Sequence, residues 1–167
     1  MLKLLVLCMV LIAGQAQASN QMVAQSSGFS EHQLVASVQD LERSVHDKVN
    51  AQRSSKGLPS LEYNESIASI ARQHSENMAN NAVPFGHGRV QQRYDDIKLL
   101  ITVTKLAENV AYAWGYSNPD EIVVQGWINS EGHRKNMEGD YNVTGIGVAQ
   151  GADGAYYFTQ LFAKQTK

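Results

Sequence analysis

Apolar residues recur at steps of four and three from Leu34 through Val38, Leu41, Val45 and Val49, which places them on one stripe of an α-helix. The helix this predicts starts at Glu31, runs to about Arg53, and is ended by Gly57 and Pro59. Ser60 precedes a second helical pattern in which Ile67, Ala71, His74 and Met78 share a face, with Ile70 and Ala82 beside it. It should stop near Asn80-Asn81, ahead of Pro84. His74 lies on that apolar face and reads as a core histidine whose ring nitrogens find partners, because buried polar groups are normally paired.

The pattern weakens over residues 83–106. Phe85-Gly86-His87-Gly88 is a glycine-flanked turn, Gln91 to Ile97 fits a short helix, and an extended run starts near Leu106. Asn118-Pro119-Asp120-Glu121 predicts a helix start, with Asn as cap, Pro at the first helical position and Glu placed to close a capping box. Ile122, Val123, Trp127 and Ile128 give that helix its buried side, and Gly132 is where it should end. The last third alternates: Val143 to Ala149 and Tyr156 to Ala163 read as strands, joined by a hairpin turn at GADG, residues 151–154. Helices first and antiparallel strands last argue for an α+β fold rather than parallel βαβ units.

Composition narrows the setting. Residues 1–18, MLKLLVLCMVLIAGQAQA, carry an early lysine, a short apolar run and Ala16-Gln17-Ala18, the form of a secretory signal peptide cut after Ala18. The run falls short of the ~20 apolar residues that a membrane span needs, so no stable membrane anchor is expected. Residues 19–33, rich in Ser and Gln, suit a flexible leader, and residues 34–167 form one domain. Cys8 is the only cysteine, so the mature chain has no disulfide or thiolate chemistry. Loss of Lys3 from the 14 basic residues leaves 13 against 16 acidic, a net of −3. Nucleic acid, which asks for a clustered basic surface, is not an expected partner. Asn64-Glu65-Ser66 and Asn142-Val143-Thr144 match the glycosylation triplet, which matters only in a eukaryotic secretory pathway.

Three polar clusters are candidates for chemistry: His87 between two glycines, Glu108 before Asn109 in the extended run, and Glu131 with His133 around Gly132. Two imidazoles with one or two carboxylates can bind a divalent transition metal. They can also do acid–base work, or form a hydrogen-bonded network that locks loops together. The spacing does not choose among these. Neither HExxH nor GxSxG is present.

SENMA (75–79), GHG (86–88), AENVAYA (107–113), WINSEGHRKNM (127–137), GIGVA (145–149) and YYFTQLF (156–162) resemble, in this order, the bacterial branch of the CAP superfamily of cysteine-rich secretory proteins, antigen five and pathogenesis-related-one proteins. The resemblance covers about Leu34 to Ala163. It implies a three-layer α-β-α sandwich, with a small antiparallel sheet between helical layers and a cleft lined by two His and two Glu. His87, Glu108 and His133 match three of those positions. The fourth, three residues after the Trp, is Ser130 here, with Glu131 one residue later. Some members of that family hold zinc with the two histidines, which implies one ion on His87 and His133, while Arg134 and Asn136 are expected to be structural, pairing with a carboxylate or capping backbone at the helix end. Three functions stay open: a secreted or periplasmic binding module for a small ligand or peptide, a metal-dependent hydrolase with Glu108 as base, and a cell-envelope scaffold. Sterol binding, one activity attributed to the family, is the least supported, since no surplus apolar segment is visible to build a groove.

Overall fold

The computed structural model describes residues 31–166, with side chains from Val38 onward. The expected signal peptide and the leader up to residue 30 lie outside the described residues, and residues 31–33, expected to end the leader, instead begin the first helix. Five helices and four strands follow in order: α1 (Glu31–Ser55), β1 (Glu62–Tyr63), α2 (Glu65–Ala79), α3 (Val90–Leu100), β2 (Val103–Ala113), α4 (Pro119–Asn129), α5 (Glu131–Met137), β3 (Val143–Gln150) and β4 (Tyr156–Gln165). The sheet order is β1-β3-β4-β2. The three long strands pair antiparallel, as expected, whereas β1 adds two residues parallel to β3, a strand too short to leave an alternating pattern.

Strand alternation splits the core into two layers. On one face Ile146, Val148, Phe158 and Phe162 pack with Val45 and Val49 of α1 and with Val123, Val124 and Trp127 of α4. On the other, Val143, Leu161 and Ala163 meet Ile67 and Ala71 of α2 and Ile97 of α3. The result is an α+β three-layer sandwich, the expected fold class. Gly145 and Gly147 let α2 lie directly on β3: a Cβ at Gly147 would sit 2.0 Å from the Arg72 backbone nitrogen, and one at Gly145 2.2 Å from that of Ala68.

Side chains close both edges of the sheet, where unpaired backbone groups would otherwise be open to another strand. At the β3 edge, buried Glu42 accepts from the Val148 N–H at 3.0 Å while holding Arg72 through two bonds at 2.9 and 2.7 Å. At the β2 edge, Asn136 Nδ2 donates to the Glu108 carbonyl at 3.1 Å and Trp127 Nε1 to that of Val110 at 3.4 Å.

Two local expectations are corrected. The helix expected to end at Gly132 stops at Asn129: Ser130 is extended (φ −97°, ψ 118°), and Gly132 lies inside the new helix α5. Arg134 Nη1 donates to the Ile128 carbonyl at 2.8 Å, satisfying an end of α4 that a glycine cap would otherwise have served. Asn118 does occupy the cap position with Pro119 in the first turn, but its side chain makes no capping bond. Glu121 Oε1 instead accepts from Gln125, so no capping box forms.

Candidate functional site

The His87 turn, α3 and α2 lie on one side of strand β2, and α5 lies on the other. Glu108 points to the α2/α3 side and its neighbour Asn109 to the α5 side, because successive strand residues alternate. The carboxylate of Glu108 is buried, with 1% of its side chain exposed. Arg93 holds it at two points, Nε to Oε2 at 2.5 Å and Nη2 to Oε1 at 2.8 Å, while His87 Nδ1 lies 2.8 Å from Oε1. His87 itself is half exposed, at 53%. Such charge-assisted, two-point bonding fixes the guanidinium and the carboxylate in one plane.

Arg93 is a hub that sequence reasoning missed. Beyond Glu108 it donates from Nη1 to the Gly88 carbonyl at 2.8 Å and to His74 Nδ1 at 3.2 Å. His74 Nε2 in turn meets the Gly86 carbonyl at 2.8 Å. Since Arg93 can only donate, His74 accepts at Nδ1 and carries its proton on Nε2. Burial holds His74 below the usual histidine range, and the Arg93 charge adds to that; a neutral ring matches both bonds. The core role expected for His74 is what these contacts describe. Together, Arg93 and His74 tie the Gly86-His87-Gly88 turn to the helices beneath it. The available signal was a cation on the inward stripe of Val90, Arg93, Tyr94 and Ile97, since an unpaired charge is not buried there without a partner.

From the other side, α5 docks on β2 through Asn136, which also donates to Asn109 Oδ1 at 2.9 Å, and through Asn109 Nδ2, which donates to the His133 carbonyl at 3.1 Å. The His133 ring lies over Trp127, 6.5 Å between centroids. Burial pushes its pKa down, and the charge of nearby His87 does so further. His87, bonded to Glu108, and His133, carried by α5 with its carbonyl bonded to Asn109, thus approach β2 from its two sides. Glu131, expected beside them, is not brought there: it lies on the outward side of α5, 71% exposed, and pairs with Lys135 at 2.6 Å. Arg134 and Asn136 have the structural roles expected of them.

Aromatic rings flank the His87 side. Phe85 meets Tyr112 edge-on at 5.2 Å and Tyr112 stacks on Tyr157 at 6.3 Å. Phe85 and Tyr112 are both exposed, an aromatic pair that helix and strand periodicity did not reveal.

Among the described residues, no group of three or more His, Cys, Asp or Glu is gathered for a metal. That leaves His87 and His133 as the candidate imidazoles, fewer than the three or four protein ligands that zinc ordinarily takes. Glu108 orients His87 through Nδ1, the arrangement in which a carboxylate fixes a ligating histidine. His133 is held in the neutral form that ligates. Glu108 is committed to Arg93 and cannot serve as a third ligand without breaking that pair.

The profile of the cysteine-rich secretory protein family, CAP, matches residues 46–162. The chain is 35% identical over 130 residues to the uncharacterized membrane protein YlbC of Bacillus subtilis, an alignment covering 74% of this chain and 34% of that protein. The chain thus spans about a third of that relative's length. An extracellular protein containing an SCP domain from Bacillus anthracis superposes with a TM-score of 0.69 at 26% identity, covering 82% of this chain and 44% of the other. An outer surface protein of Borrelia burgdorferi shares the fold, with a TM-score of 0.65 at 20% identity over 76% of this chain and 94% of its own.

Proposed function

Because the chain belongs to the cysteine-rich secretory protein (CAP) family, we propose that it is an extracytoplasmic binding module whose cleft at the β2 edge presents His87 and His133 to one small ligand or peptide. The observation that carries this reading is the state of Glu108. A general base must reach the proton it removes, yet this carboxylate is buried and bonded to Arg93 and His87. It acts as the orienter of His87. Glu131, the other candidate acid, is turned to Lys135. The exposed rings of Phe85 and Tyr112 beside His87 supply apolar contact area, the usual complement to a few convergent polar groups in a binding site.

A zinc ion held by His87 and His133 would add a Lewis-acidic centre to the cleft, completed by water or by the ligand. The chain's own contribution is to hold His87 by Glu108, to keep His133 neutral, and to brace the His87 turn through Arg93 and His74. A location outside the cytoplasm is supported by the N-terminal signal-like sequence and by the extracellular and outer-surface relatives. No described helix is long and apolar enough to cross a membrane.

Calorimetric titration with zinc tests the proposal. One ion per chain, lost in both His87→Ala and His133→Ala, is the expected result, with no turnover of peptide or ester substrates. Turnover abolished by Glu108→Gln in a protein that remains folded would instead establish the hydrolase, and unchanged zinc binding in both histidine variants would remove the shared cleft.

A further inference from the structure

Beside the Arg93–His74 hub, α2 and α3 flank a half-open pocket of about 320 Å³, with Arg89, Gln73 and Gln92 exposed at its rim. That is the lower end of the ~300–1,000 Å³ range of ligand pockets. Neither His87 nor Glu108 lines it, so it is separate from the cleft. We propose that this pocket is a second binding site, for a short zwitterionic peptide of two or three residues.

Charge is the first argument. Arg89 and Asp96 both line the pocket, and among the described residues neither has an oppositely charged partner. Asp96 accepts only the Gln92 amide, at 2.9 Å. Arg93, the other cation in the wall, is already neutralised by Glu108. One free guanidinium and one free carboxylate therefore face the same space, matching a ligand that carries one charge of each sign. Seven positions apart, the two residues are separated by ~10 Å along α3 at ~1.5 Å per residue. An extended peptide advances ~3.4 Å per residue, so the termini of two or three residues span this gap once the side chains reach inward.

The wall between the charges is the second argument. Gln73 and Asn77 stand one turn apart on α2, joined by a bond from Gln73 Nε2 to Asn77 Oδ1 at 3.4 Å. Each amide has a donor and an acceptor group, so that bond leaves a carbonyl on Gln73 and an N–H on Asn77, the complement of a peptide unit's N–H and C=O. Ile70 and Val83 complete the lining with apolar surface, suited to small side chains.

Backbone conformation is the third. Arg89 has φ 58°, a left-handed geometry that costs a residue with a Cβ ~1–2 kcal/mol. Its place is nevertheless set by the Val90 N–H bond to the His87 carbonyl at 3.0 Å and by the Gln92 N–H bond to its own carbonyl at 3.0 Å. The strain fixes where the guanidinium leaves the chain.

Trialanine, its C-terminal amide and its N-acetyl derivative, titrated into the full mature chain and followed by amide NMR, test this. Trialanine is expected to shift α2 and α3 resonances saturably, and blocking either terminus should weaken binding tenfold or more. Arg89→Gln should weaken trialanine but not its C-terminal amide, and Asp96→Asn should weaken trialanine but not its N-acetyl form. No saturable shift, equal affinity for the blocked peptides, or shifts confined to the His87 and His133 cleft would overturn the proposal, the last while leaving the cleft itself supported.

Discussion

Arg93 and Glu108 form a two-point ion pair in which neither side chain is more than 8% exposed, and the pair stands directly beneath His87. Removing one partner leaves the other charge buried and uncompensated, at a cost of ~3–5 kcal/mol. Arg93→Met is expected to lower stability by that amount, read from the urea midpoint. Glu108→Leu in the same chain should recover part of the loss, since a well-packed apolar pair can replace a buried ionic one. A double variant as unstable as the sum of the singles would show that the two residues act independently.

Acid should destabilise the protein. Burial holds folded His74 and His133 below the usual value of ~6.5. The unfolded chain therefore takes up protons first as pH falls. Their contribution is complete above pH ~6.5 and is lost as pH drops below it, towards the folded values. Urea midpoints at pH 7.5 and 5.5 should show this fall, and His74→Gln, which can still accept from Arg93 and donate to Gly86, should reduce the slope. A midpoint that rises on acidification contradicts the assignment.

Gly147 and Gly132 should respond in opposite directions to alanine. A methyl at Gly147 meets the backbone of α2 at 2.0 Å, so α2 must lift from β3, and a loss near ~3 kcal/mol is expected from overpacking. Nothing lies within 4 Å of a Cβ at Gly132, inside helix α5. Gly132→Ala should be neutral or stabilise by up to ~1 kcal/mol. Thermal melts of the two variants measure both.

Glu131→Gln breaks only an exposed pair with Lys135. Stability should change by less than ~0.5 kcal/mol, and zinc affinity should stay within twofold. A large loss of affinity would bring Glu131 into the cleft after all.

The legible parts of the chain were those with one repeating period. The Val38 to Val49 stripe, the Ile67 to Met78 face and the positions of strands β3 and β4 appear as read, although β3 is buried on both faces rather than on alternate residues, and Glu108 lies on β2 with His133 on α5. What escaped depends on contacts far apart in sequence. Arg93 reads locally as one cation in a polar helix until Glu108, 15 residues later, comes under it. Ser130 breaks the helix although Gly132 is the better breaker by local rules, because α5 must lie against β2 with Asn136 on the strand edge. That same docking turns Glu131 outward, since His133, Asn136 and Met137 take the inward side.

Imidazole nitrogen NMR during a zinc titration tests the shared cleft most directly. The account predicts that His87 and His133 resonances shift together at one equivalent of zinc, while His74 and His46 stay in place, each bonded to a backbone carbonyl. Shifts at only one of the two, or first at His46, would contradict it.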